Sequence, residues 1–179
     1  MLFRSNKEDE MKIRFSIPGN PTAQKRHRTI TKGKGGQPLP YARSYDPSES
    51  DKGDFLSMAM KYRPKHPVEG LVIITFAFWM MIPKGYSQKF KTEAQDWGDL
   101  NEHIPLWKQF KSSLAHLKRP DTDNLIKLVM DALNGVYWKD DSQVQFRAAF
   151  KIYSNEPRTE LQIYLEGGEY RGEENTSSS

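Results

Sequence analysis

A chain of 179 residues is long enough for one domain with a proper core and too short to make two comfortable ones. It carries 27 Lys and Arg against 23 Asp and Glu, a net charge of +4, and no cysteine. Disulfides and thiolate metal sites are therefore excluded, which fits a reducing cytosol. The longest apolar run, Leu71 to Ile82, is too short to span a bilayer, and the N-terminus lacks a signal-peptide core, so a soluble cytoplasmic protein is expected.

Residues 1–10 are polar and mixed in charge, and are expected to be flexible. Met11 to Ile17 alternates, with Ile13, Phe15 and Ile17 on one side, and reads as a strand closed by Pro18-Gly19. From Lys12 to Tyr45 there are eight Lys or Arg and no Asp or Glu. Five of these, Lys25, Arg26, Arg28, Lys32 and Lys34, fall in PTAQKRHRTITKGKGGQ, predicted to be a flexible glycine-containing loop. Phosphate binding is the functional reading of such charge, because it displaces condensed counterions from nucleic acid; a solvated basic loop is the plain one. Tyr41 and Tyr45 are candidates to stack on sugar or base.

Ser48 to Arg63 reads as a helix with Phe55, Leu56, Ala59 and Met60 as its apolar stripe and Pro64 as its end. Val68 to Ile82, rich in β-branched and aromatic residues, is predicted to be a central strand covered on both faces. Residues 83–118 are least readable, with short helices expected near Ser87 to Gln95 and Leu106 to Leu114. His103 and His116 lack paired metal-ligand spacing and read as surface or core histidines, while Trp97, Trp107 and Phe110 read as packing residues.

The run RPDTDNLIKLVMDALNGVYWKDDSQV, Arg119 to Val144, holds five aspartates: Asp121, Asp123, Asp131, Asp140 and Asp141. Leu125, Leu128, Val129, Ala132 and Leu133 keep the rhythm of a buried helix face, so a helix over about Thr122 to Leu133 is predicted, stopped by Asn134-Gly135. Asp121 and Asp123 then lie at its N-terminus, where capping and the macrodipole favour negative charge. Capping leaves the second aspartate, Lys127 one turn on, and Asp140-Asp141 without a reason. A hard divalent cation such as Mg²⁺, which prefers oxygen ligands, supplies one. Asp131 is placed to pair with Lys127 at i, i+4.

Beyond this run, Gln143 to Tyr153 alternates Phe146, Ala148, Phe150 and Ile152 against Gln145, Arg147, Ala149 and Lys151, and Arg158 to Leu165 alternates likewise. With Ser154 to Pro157 between them, the two are predicted to form an antiparallel hairpin. Residues 167–179, rich in Gly, Glu and Ser, are expected to be a disordered tail. The fold class expected is α+β: a single domain over 11–166, with a mixed sheet of about four or five strands and at least two helices on it.

RPDTDNLIK, DALNG and KDDSQV together resemble the signature of the RusA-type Holliday junction resolvases, a family of Mg²⁺-dependent endodeoxyribonucleases of bacteria and their phages. The resemblance covers roughly residues 11–166 and is densest over 119–144. It implies that Asp121, Asp123 and Asp141 are the essential carboxylates holding one or two Mg²⁺ ions. It also implies that Lys127 is the essential lysine, with Asp140, Asn124 and Asp131 in supporting roles. A basic segment just after the first strand is a further point of similarity, so Lys25, Arg26, Arg28, Lys32 and Lys34, with Arg119, are the expected DNA-binding residues. Branched DNA, specifically a four-way junction cut in recombination and repair, is the implied substrate. A homodimer with two active sites is the implied assembly. Shorter members of the family cross 83–118 with fewer residues, which marks that stretch as an insertion. A non-catalytic DNA-binding or partner-binding protein, and a DxD nucleotide-sugar transferase, are the alternatives.

Overall fold

The computed structural model describes residues 10–32, 35–96 and 111–169. Its main sheet has four strands in the order β1-β6-β4-β5: β1 is Glu10–Pro18, β4 Val72–Met81, β5 Val144–Ser154 and β6 Arg158–Glu166. β6 runs antiparallel to both neighbours, while β4 and β5 are parallel. The sheet is therefore mixed, and with the helices described below the domain is α+β.

β4 sits where its sequence requires. An unbroken apolar run can be satisfied only with both faces and both edges covered, and Val72, Ile74, Phe76, Ala77, Phe78, Trp79 and Met80 are all buried. One face carries α1, Glu49–Ala59, and α3, Thr122–Leu133. There Met11, Ile13, Phe15 and Ile17 of β1 share a core with Phe55 of α1 and with Leu125, Leu128 and Leu133 of α3. The other face, opposite α2, Gln88–Asp96, has a smaller cluster of Ala77, Trp79, Ala94, Leu114, Phe150 and Ile152. Both helices expected before residue 96 are thus present. The one expected over Leu106 to Leu114 lies largely outside the described residues, and only a 3-10 turn at Ser112–Leu114 is seen.

The structure corrects three expectations. β5 and β6 do not pair with each other, because β4 lies between them. Three residues, 155–157, suffice to cross two strand spacings of about 5 Å each, and the demand of β4 for a central place outweighs the preference of neighbouring strands to pair. The basic segment is not simply a loop: β2, Arg28–Lys32, and β3, Pro38–Tyr45, form an antiparallel two-stranded arm. Gly35 and Gly36, with φ of +84° and +78°, reverse the chain between them, a conformation that side chains with a Cβ avoid. All five residues of β2 are exposed, so no hydrophobic alternation announced the strand.

The alternation of β5 is also broken. Its register against β4 shifts between Ile74 and Thr75, which pair with Phe146 and Ala148 and leave Arg147 as the extra residue. A bulge flips every later side chain to the opposite face. Phe146 therefore lies beside Phe76 and is exposed, while Phe150 and Ile152 enter the cluster under α2, and Tyr153 joins the core under α1 and α3. At the C-terminal limit of the described residues, Glu169 O accepts from Lys65 N at 3.0 Å. The remainder of the expected tail and residues 1–9 fall outside the described residues.

The crossover from β4 to β5 decides where the acidic run goes. α3 begins at the carboxyl end of these parallel strands, since Lys151, late in β5, bonds to the carbonyl of Pro120. It ends at their amino end, where Trp138 bridges to Val68 and to Asn134.

Candidate active site

Asp121 occupies the N-cap of α3 with extended backbone angles, φ −71° and ψ 144°, and its carbonyl accepts the first helical bond from Leu125 N at 3.2 Å. Its carboxylate makes no capping bond. Capping thus fails to account for this aspartate, and its exposed carboxylate is left available to a ligand. Asp123 lies in the first turn, also exposed, where the helix dipole favours negative charge. Lys127 is exposed one turn further along. Asp131 does not pair with Lys127 as expected; it faces α1 and lies 3.5 Å from Lys52 Nζ.

A cation lies close to Asp121. Lys151 Nζ donates to Lys118 O at 2.6 Å and to Pro120 O at 2.5 Å. Burial pushes its pKa down, and the Asp121 carboxylate opposes that shift. His116 stands beside it, buried, its ring 4.6 Å from that of Tyr153. It is thus a core histidine, and burial, then the charge of Lys151, hold it below its ordinary value.

Asp141 lies elsewhere. It opens a 3-10 turn, Asp141–Gln143, at the start of β5. Asp140 caps that turn, accepting from Ser142 N at 2.9 Å while its own N–H donates to Gln143 Oε1 at 2.8 Å. Gln143 Nε2 in turn donates to Val68 O and Gly70 O, fastening the turn to the entry of β4. The wholly buried Trp138 donates Nε1–H to Asp141 Oδ1 at 2.9 Å and so fixes that carboxylate. Six residues of β5 lie between Val144 and Lys151, a span of roughly 23 Å at strand rise. Asp121 and Asp123 therefore share the start of α3, while Asp141 lies at the opposite end of β5 in the same chain. Among the described residues no group of three or more His, Asp or Glu is placed to hold a metal ion.

Residues 18–164 match the family described as Endodeoxyribonuclease RusA. The chain belongs to the RusA endodeoxyribonuclease family. It is also similar to a Bacillus subtilis (strain 168) protein named Uncharacterized protein YqaN, 33% identical over 154 residues that cover 84% of this chain and 94% of that one. Membership in RusA sets aside the nucleotide-sugar transferase and makes DNA the polymer to be fitted to the surface. No described helix is long and apolar enough to cross a membrane.

The basic arm is rooted beside α3. Its root is pinned to the starts of two helices: Gln24 N donates to Asn124 O of α3 at 2.8 Å, and Lys25 N to Ser48 Oγ at the N-cap of α1 at 2.7 Å. Asp46 gathers Lys52 at 2.5 Å, Gln24 Nε2 at 3.0 Å and the Ser48 amide at 2.8 Å, and these contacts, Lys52 foremost, hold its carboxyl down at about 2. Arg26, Arg28 and Lys32 project exposed from this base, as does Arg119 before α3. Lys25 is partly spent on Asp51 at 2.8 Å. Lys34 lies outside the described residues. Sequence reasoning missed Arg43 on β3, which stacks over the exposed Tyr41 ring at 5.2 Å, and Lys151, whose carbonyl partners are more than thirty residues away in sequence.

Proposed function

We propose that this RusA-family protein is a Mg²⁺-dependent, structure-selective endodeoxyribonuclease that resolves four-way DNA junctions by paired phosphodiester cleavage in recombination and repair. The observation carrying this reading beyond family membership is the start of α3. An N-cap aspartate that does not cap, and a second aspartate two residues on, both exposed, form a donor set of the kind Mg²⁺ takes with substrate phosphate and water. Asp121 and Asp123 would hold the ion; when bound, it supplies polarisation of the phosphate and a water of lowered pKa. Lys127, one turn along the same exposed face, stabilises negative charge developing on the phosphodiester. Arg119 and the arm residues Arg26, Arg28 and Lys32 hold the DNA backbone. Because one chain keeps Asp141 at the far end of β5, its part in the centre calls for a second copy. A C₂ homodimer also matches the two nicks that resolution needs.

The absence of a three-ligand cluster among the described residues favours a second reading, a protein that binds DNA without cutting it. Incubating the protein with four-way, branched and linear DNA, with and without Mg²⁺, separates the two. Mg²⁺-dependent nicking confined to the branched substrates is expected. Retention of junctions without nicking at any Mg²⁺ concentration would establish the binding-only reading.

A further inference from the structure

We propose that Lys151 is a positioning residue for the site, holding the Lys118–Asp121 segment so that the Asp121 carboxylate stays directed at its ligand. The inference rests on the nuclease reading above and adds a residue to it. Three observations carry it. The bulge at Arg147 turns Lys151 onto the face of the sheet that bears α3, where its lateral partner is Phe78. There the ammonium spends two of its three donors on the carbonyls of Lys118 and Pro120, the second belonging to the peptide unit that leads into Asp121. The chain just before this segment is tied to β5 as well, by His116 N donating to Lys151 O at 2.9 Å and by the bridge between Ala115 and Ile152. A flexible, strongly hydrated side chain is drawn partly out of water here, and two charge-assisted bonds to backbone offset that cost. Partners of this kind behind a ligand typically change metal affinity or activity ten- to a hundredfold.

The sign of the effect on cation binding discriminates. If Lys151 were only a like charge near the site, removing it would tighten binding of a divalent ion. If it positions Asp121, removing it loosens binding. The experiment measures Mn²⁺ binding by electron paramagnetic resonance without DNA, together with kcat and KM on a four-way junction, for the full chain and for Lys151→Met. Expected are Mn²⁺ affinity weakened by about tenfold or more and kcat lowered by a similar factor, with KM for the junction unchanged. Lys151→Gln, which keeps one amide donor, should recover part of both and covers the case in which the Met variant fails to fold. Mn²⁺ affinity that is unchanged or tighter in these variants, in a wild type that binds Mn²⁺ and cuts, overturns the role of Lys151 alone. A wild type that neither binds Mn²⁺ nor cuts overturns the nuclease reading, and this role with it.

Discussion

Asp121 and Asp123 differ from the other aspartates of their run in that, among the described residues, neither carboxylate makes a capping bond or a close ion pair. Asp140 is consumed by a capping box, Asp131 by Lys52, and Asp141 partly by Trp138. The distinction was only half legible in the sequence: spacing put Asp121 and Asp123 at a helix start, but whether the N-cap carboxylate is used for capping depends on its rotamer, which no spacing encodes. Asp46 is a structural carboxylate of the opposite kind. Its pKa is depressed to about 2 by Lys52 and its hydrogen bonds, so it favours the folded state above its ordinary value near 4, and that contribution disappears as pH falls through 2. Asp46→Asn should therefore lower the urea midpoint at pH 5 and lose its difference from wild type near pH 2. A difference that persists unchanged at pH 2 would show that the ionised carboxylate is not the cause.

At the scale of elements, α3 links the core to the site. Leu125, Leu128 and Leu133 bury its inner face, and truncating Leu128 to Ala should cost about 2–5 kcal/mol in urea unfolding, through lost burial and the cavity left behind. A loss below 1 kcal/mol would mean that the helix is not anchored through this face. The arm of β2 and β3 contributes charge and little stability, since an isolated two-stranded ribbon is marginal in water. Arg26→Ala with Arg28→Ala should weaken junction binding and make the salt dependence shallower by about two in the log–log slope, at close to one unit per phosphate contact. Lys25→Ala should do less, because Asp51 already engages Lys25 in part. An unchanged slope in the double variant would remove the arm from the interface. The strands of this arm escaped sequence reading because they have no buried side. α1, α3 and β1 were legible because each buries a face that imposes its own period on the sequence, and β4 because burial on both faces leaves an unbroken apolar run.

For the whole molecule, pairing partners were the least legible feature. Neighbouring strands that looked like a hairpin are separated by β4, and a single bulge in β5 reassigns the faces of its later residues, Lys151 among them. Both depend on contacts distant in sequence. The same long-range geometry separates Asp141 from Asp121 and Asp123 within one chain and makes assembly part of the functional question. If a second copy completes the centre, sedimentation of the cleavage-competent protein should show a dimer, and activity per chain should fall on dilution below its dissociation constant. Full activity from a monomer would place Asp141 outside the centre. The central claim is tested most directly by Asp123→Asn on a four-way junction with Mg²⁺, with binding and cutting measured on the same samples. Wild-type affinity with cutting abolished is the expected result. Cutting at the wild-type rate would contradict the claim that the carboxylates at the start of α3 carry the chemistry.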